Sequence, residues 1–144
     1  HRLALAKEKG LADVTLTAGK DDIEAAVFSL TEDRGADVVF EAAGGRDTFQ
    51  TAWKIARPNA TAVIVAMYEE PQMLPLPDMY GKNLIFKTGG VDGSFCREIM
   101  ELTACGKLDA GFLITHRYRL DDIMEAYKLF ENKEDNVIKI AIKP

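Results

Sequence analysis

Few residues of this chain have both the chemistry and the spacing of a catalytic or metal-binding group. His116 stands alone, with no cysteine or carboxylate motif at the spacing of a metal site. Cys96 and Cys105 fall in one predicted helical stretch and are expected to be reduced thiols. Asp121 and Asp122 precede an amphipathic run, so we interpret them as a helix cap. The sequence therefore predicts no catalytic residue and no metal ligand in this chain.

Small residues that follow apolar segments are more informative. The run Glu41–Gly45 reads EAAGG and follows one such segment, and Gly89–Gly90 follows another. Ligands of open α/β sheets bind at the carboxyl ends of the strands, which is where these residues are predicted to lie. A dinucleotide site also needs G-x-G-x-x-G after the first strand and an acidic residue after the second. Neither feature is present, because the two glycine pairs lack that spacing.

Composition and charge exclude several classes of partner. The net charge of −5 and the pI of about 5.1 argue against nucleic acid and anionic membranes, which require a basic surface. The longest apolar runs, such as Ala60–Tyr68, are too short to span a bilayer. No secretory signal opens the chain, so the sequence predicts a cytoplasmic protein.

Strand and helix patterns alternate along the chain, which indicates an α/β protein with a mostly parallel sheet. The apolar run Val38–Phe40 is typical of a strand buried on both faces, and so is the run in Thr61–Met67. The predicted strands are Val14–Thr17, Ala36–Ala43, Thr61–Met67, Leu84–Thr88, Phe112–Thr115 and Val137–Ile142.

Helices are predicted between these strands. The second helix should begin at Asp21, with Glu24 as its capping-box partner. It should bury Ile23, Val27 and Leu30 on one face. The proline-rich segment Glu69–Asp78 should be extended, because proline disfavours both helix and sheet. The other predicted helices are His1–Lys9, Arg46–Arg57, Ser94–Gly106 and one that starts at Asp121 or Asp122.

Four segments resemble one family and follow one another in the same order as in that family. They read HRLALAKEKG, GADVVFEAAGG, LITHRYRLDDIMEAYKLFENKEDN and VIKIAIKP. Together they resemble the C-terminal half of medium-chain, zinc-type alcohol and polyol dehydrogenases. The resemblance implies an incomplete, doubly wound, Rossmann-like sheet that lacks its first two strands, followed by a C-terminal helix–strand segment. Because a helical pattern begins at once at His1, we interpret the start as a cut through a larger protein.

The resemblance also implies a division of the chain and an order of strands. Residues 1–92 would be a partial dinucleotide-binding domain, and residues 93–144 a segment that packs toward the catalytic domain. Ala36–Ala43, Thr61–Met67 and Leu84–Thr88 should pair in sequence order as strands 4, 5 and 6. The strand at Val14–Thr17 would then be without its usual neighbour.

The same resemblance implies positions that contact NAD or NADP. Arg2 would reach the adenosine ribose or its phosphate, unless it is simply a solvated residue at a helix start. The turn after Glu41 would pass under the cofactor, or serve only as a packing turn. Lys139 would face the pyrophosphate, or point outward from an alternating strand. The full set of expected cofactor contacts is Arg2, Glu41, Ala42, Ala43, Gly44, Ala66, Met67, Thr88, Gly89, Gly90 and Lys139.

The whole protein implied by the resemblance moves hydride between NAD(P) and an alcohol or polyol. Zinc would be held by a part of that protein outside this chain. The isolated chain is expected to be inactive, with weak or no cofactor binding. A zinc-free reductase of the same superfamily, a non-catalytic dimer module and a receiver- or flavodoxin-like module remain alternatives. A homo-oligomer is expected through the Leu84–Thr88 region.

Overall fold

The computed structural model describes residues 1–90 and 93–144. It divides into two compact units, residues 16–90 (the sheet unit) and residues 1–15 with 93–144 (the terminal unit). The predicted domain boundary falls at residue 92, which lies outside the described residues, and it stays a prediction. In chain order the elements are α1 (Arg2–Glu8), α2 (Ile23–Leu30), β1 (Ala36–Glu41), α3 (Thr48–Ile55), β2 (Ala56–Ile64), α4 (Leu76–Met79), β3 (Ile85–Thr88), α5 (Cys96–Ala104), β4 (Ile114–Arg119), α6 (Ile123–Asn132) and β5 (Lys139–Lys143).

The sheet unit is built on three parallel strands in the order β1-β2-β3. This confirms the predicted pairing of the three central strands. In the register of the sheet, Glu41 pairs with Ile64 and Ile64 pairs with Thr88. The carboxyl ends of all three strands therefore lie in one row.

The core of the sheet unit lies between one face of the sheet and α3. Val39 of β1 packs with Ala52 of α3, and Phe49 of α3 lies 5.7 Å, centroid to centroid, from Phe86 of β3. The opposite face is open, since Val38 is 51% and Phe40 70% exposed. The expectation that β1 is buried on both faces was therefore wrong, because helices cover only one side of it within the described residues.

Two predictions before β1 also fail. No strand forms at Val14–Thr17, because no described strand lies beside it to accept ladder hydrogen bonds. The cap of α2 is Asp22 and not Asp21, since the Asp22 carboxylate accepts from the backbone N–H of Ala25 at 3.0 Å. The predicted apolar face of α2 is at most half-buried, and Leu30 is 60% exposed.

The junction between α3 and β2 comes earlier than predicted. The helix expected over Arg46–Arg57 ends at Ile55, and β2 runs from Ala56 to Ile64. The strand β2 also ends earlier than predicted, before Ala66 and Met67, which were expected to be its last residues. The proline-rich segment is not wholly extended, because Pro77 is accommodated in the first turn of α4.

Lys82 closes the C-terminal end of α3. Its ammonium group donates hydrogen bonds to the carbonyl oxygens of Trp53 (3.1 Å), Lys54 (2.7 Å) and Ala56 (2.8 Å). It also lies 5.5 Å from the centroid of the Trp53 ring. A cation at this end complements the helix dipole and satisfies carbonyl groups that lack helical partners. Burial lowers the pKa of Lys82, and the charge of Glu24 opposes that shift.

The terminal unit contains a second, two-stranded parallel sheet of β4 and β5, against which α6 packs. The strand β4 begins at Ile114 and is longer than the strand predicted at Phe112–Thr115. It begins later because Gly111–Leu113 form a 3₁₀ turn before it. Asp122 is at the N-terminal end of α6 as expected, but its side chain makes no capping hydrogen bond. No helix of the described residues is long and apolar enough to cross a membrane.

Candidate functional site

A cleft opens at the carboxyl end of β1, beside the start of α3. Its volume is about 520 Å³, and its walls include Gly19, Phe40, Glu41, Arg46 and Thr48. This is the edge at which open parallel sheets bind ligands. The cleft therefore lies where the strand order of the sheet favours a ligand.

The turn after β1 is held from inside by Glu41. This side chain is 5% exposed, and its Oε1 atom accepts hydrogen bonds from the backbone N–H groups of Ala43 and Gly44, both at 2.9 Å. Its own carbonyl oxygen accepts from the N–H groups of Val65 (2.8 Å) and Ala66 (3.2 Å). One residue thus connects the turn after β1 with the segment after β2.

The carboxylate of Glu41 is ionised at neutral pH. Burial acts to raise its pKa, but the hydroxyl of Tyr68, the N–H of Gly44, the hydroxyl of Thr48 and the N–H of Ala43 outweigh burial and hold the pKa below its ordinary value. Burial and the neighbouring Glu41 raise the pKa of Tyr68, which remains a neutral donor. Among the described residues, no donor reaches the Oε2 atom of Glu41 in hydrogen-bond geometry.

The expected contacts in the sheet unit fall along the row of strand ends. Glu41 and Thr88 are the last residues of β1 and β3. Ala66 and Met67 follow β2, and Met67 is 93% exposed. Within the part of the chain that the structure describes, the space around the glycines after β3 is open, because a Cβ built on Gly89 or on Gly90 would meet no atom within 4 Å. The remaining expected contacts, Ala42 and Ala43, are exposed, and Gly44 is half-buried.

Arg2 and Lys139 both belong to the terminal unit. The guanidinium group of Arg2 donates to the carbonyl oxygen of Val137 at 3.2 Å. Lys139 is exposed at the start of β5, and its carbonyl oxygen accepts from the hydroxyl of Thr115 at 3.2 Å. The carbonyl group that Arg2 contacts lies two residues before Lys139 in the chain.

Histidine and cysteine form no metal centre within residues 1–90 and 93–144, where no group of three His, Cys, Asp or Glu residues could hold an ion. His116 instead lies 2.9 Å from the hydroxyl of Thr115 and 3.0 Å from the carboxylate of Asp135. Cys96 and Cys105 are exposed free thiols. The described residues therefore do not fit a zinc site, and no chemistry at zinc is assigned to them.

Three residues near the cleft were missed by the sequence reasoning. Thr48 donates to the carbonyl oxygen of Gly45 at 2.9 Å and lies 3.1 Å from the hydroxyl of Tyr68. Arg46 lines the cleft as its cation. The sequence feature nearest to these residues is a carboxylate at the end of an apolar strand. That feature indicates Glu41 and does not indicate its partners.

A parallel three-stranded sheet with crossing helices and a ligand cleft at its carboxyl edge defines a Rossmann-like domain. The sequence model of the family described as "Zinc-binding dehydrogenase" matches residues 1–110. The chain belongs to this family.

Relatives and solved structures agree with that assignment. The chain is 37% identical to an alcohol dehydrogenase of Cupriavidus necator, over all of this chain and 40% of that protein. It is 30% identical to an NADP-dependent isopropanol dehydrogenase of Thermoanaerobacter brockii, over 83% of the chain and 36% of that protein. The structure superposes on a zinc-dependent alcohol dehydrogenase from Streptococcus pneumonia with a TM-score of 0.92 at 26% identity, over 99% of the chain and 41% of that structure. The chain thus spans about 40% of the length of the relatives it matches.

Proposed function

We propose that this chain forms one wall of the NAD(P) site in an alcohol or polyol dehydrogenase. The observation that carries the proposal is the single row of strand ends at Glu41, Ile64 and Thr88, in a chain of the zinc-binding dehydrogenase family. The segments that follow β1 and β3 carry small exposed residues there, Ala42, Ala43, Gly89 and Gly90. Such an edge suits a dinucleotide that needs close approach to the backbone.

The fit to a dinucleotide rests on the space at this edge. Gly44 is held against Met67, so the turn after β1 stays narrow, and the glycines after β3 leave their surroundings open. Backbone groups at Ala66, Met67, Thr88, Gly89 and Gly90 would hold the nicotinamide carboxamide, and the Ala42–Gly44 turn would lie under the adenosine side. The cofactor would supply the hydride chemistry, and this chain would orient it.

We also propose Arg2 and Lys139 as cofactor contacts of a whole dehydrogenase, on the resemblance to the family. Lys139 would face the pyrophosphate, where a charge-assisted hydrogen bond is the natural complement to the phosphate oxygens. Arg2 would approach the adenosine ribose from α1. The glycine-rich loop and the zinc ligands would come from the rest of a whole dehydrogenase, since the chain spans 40% of its relative's length. Such an enzyme would act in the cytoplasm, a compartment that keeps thiols such as Cys96 and Cys105 reduced.

We also propose a homo-oligomer, which the apolar surface beside β3 supports. Ile85 on this edge strand is 54% exposed, and Leu76 and Tyr80 of the preceding segment are 66% and 94% exposed. An unpaired edge strand with apolar neighbours is a template for a second chain.

A hybrid enzyme tests the proposed function. The segment of the Cupriavidus necator alcohol dehydrogenase that matches this chain would be replaced by these 144 residues, and NAD(P)-dependent alcohol oxidation measured. The proposal predicts turnover, and Lys139→Ala in the hybrid should raise the Kd of the cofactor. A folded hybrid with its full zinc content that binds no dinucleotide would contradict the proposal.

A further inference from the structure

The carboxylate of Glu41 lies inside the turn that follows β1. It is buried, while Ala42 and Ala43, the next two residues, are exposed. The side chain accepts hydrogen bonds from the N–H groups of Ala43 and Gly44. The backbone carbonyl oxygen accepts from the N–H groups of Val65 and Ala66. The two segments connected in this way are those that follow β1 and β2.

We infer that Glu41 is a positioning residue, which sets the Ala42–Gly44 turn against the segment after β2 so that both present their backbone to the dinucleotide. This inference rests on the proposed function. The distance between the two segments is tightly constrained, because Gly44 lies directly against the carbonyl of Met67. A turn released from Glu41 would be free to move away from that carbonyl.

The two carboxylate oxygens of Glu41 differ in their surroundings. The hydroxyl groups of Tyr68 and Thr48 lie 3.1 Å apart, and both help to hold the pKa of Glu41 below its ordinary value. Among the described residues, no donor is in hydrogen-bond geometry with Oε2. The two backbone N–H groups on Oε1 are therefore the contacts through which the carboxylate holds the turn.

An amide at this position should keep the positioning while removing the charge. In Glu41→Gln the side-chain amide oxygen can still accept from both N–H groups. In Glu41→Ala both acceptor bonds are lost. The two variants therefore separate the role of the acceptor from that of the charge.

The test follows backbone amides of the whole chain by NMR, with hydrogen exchange and NADH titration of each variant. In Glu41→Ala the amides of Ala43 and Gly44 should exchange about tenfold faster or more, and their NADH-induced shifts should be lost, because a charge-assisted hydrogen bond is removed. In Glu41→Gln both readouts should lie within about threefold of the wild type. The loss of a whole hydrogen bond would change them by more than that. Glu70→Ala, which removes an exposed glutamate of the same unit, is the matched control and should leave both unchanged.

Two outcomes would overturn the inference. If Ala43 and Gly44 exchange alike in Glu41→Ala and the wild type, Glu41 does not hold the turn. If exchange accelerates but the NADH shifts stay the same, Glu41 holds the turn without positioning it for the cofactor. Where the isolated chain binds too weakly to give NADH shifts, the same variants are compared in the hybrid enzyme by their Kd for NADH. A wild-type hybrid that binds no NADH would reject the proposed function, and the exchange rates would still report whether Glu41 fixes this turn.

Discussion

Gly44 lies so close to Met67 that a Cβ on the glycine would stand 2.5 Å from the carbonyl oxygen of the methionine. The φ angle of Gly44 is +65°, in the left-handed region that other residues rarely adopt. Both constraints require glycine at this position. They also fix the distance between the turn after β1 and the chain after β2.

Replacing this glycine should destabilise the sheet unit. Gly44→Ala should lower the free energy of unfolding by about 2 kcal/mol or more, because the methyl group meets a backbone atom as well as an unfavourable φ. Gly81→Ala is the control, since its φ is +86° but a Cβ there meets nothing within 4 Å. That control should lose only about 1 kcal/mol. Urea unfolding followed by the fluorescence of Trp53 measures both, and equal losses would contradict the close approach.

The stability of the sheet unit should depend on the ionisation of Glu41. Burial raises the pKa of this carboxyl less than its hydrogen-bond donors lower it, so the pKa is lower in the folded chain than in the unfolded chain. The ionised group therefore contributes stability that is fully present above the unfolded pKa and is lost as the pH falls through the folded one. Unfolding curves from pH 7 to pH 3, a range of about four units around ordinary carboxyl values, should show a smaller loss in Glu41→Gln. An identical pH dependence in both proteins would show that Glu41 does not contribute.

Lys82 should stabilise the junction between α3 and β2. Lys82→Met retains the apolar stem but loses three hydrogen bonds to carbonyl oxygens, which should cost about 2 kcal/mol and change the emission of Trp53. The matched control is Lys87→Met, an exposed lysine of β3. Its stability and emission should match the wild type, and a comparable loss there would assign the effect to net charge.

Lys139 should matter for the cofactor and not for the metal. In the hybrid enzyme, Lys139→Ala should raise the Kd of NAD(H) about tenfold and leave the zinc content unchanged, because one proposed charge-assisted contact to phosphate is lost. Lys143→Ala, on the same strand and also exposed, is the control. An unchanged Kd for the Lys139 variant would remove this residue from the site.

Self-association should involve the surface beside β3. Light scattering at micromolar concentration should give a mass above that of one chain, 15.9 kDa. Ile85→Lys should shift the mass toward the monomer by placing a charge on the exposed edge strand. A monomeric wild-type chain would contradict the proposed oligomer.

The strand order was predictable because it depends on strong local patterns. Apolar runs located β1, β2 and β3, and short connections between βα units impose parallel pairing. Burial was less predictable, since Val38 and Phe40 are exposed only because no described element covers their face. The same holds for Val14–Thr17, whose sequence suits a strand although no partner is present to form a ladder.

The candidate site was predictable only where its residues follow one another. The run after Glu41 was predicted as part of the site because small residues follow an apolar strand there. Tyr68 and Thr48 did not, because their role depends on a carboxylate distant in sequence. Lys82 was likewise missed, since a lysine before a strand carries no sign of the helix end that it caps.

The most direct test of the cofactor wall is a map of backbone amide shifts of the wild-type chain as NADH is added. Because the chain lacks a glycine-rich loop, binding should be weaker than about 100 µM, several charge-assisted contacts having been lost. Even so, the shifts should concentrate at Ala42–Gly44, Ala66, Met67 and Thr88. Shifts concentrated instead at the opposite end of the strands, around Gly35 and Lys82, would contradict the account.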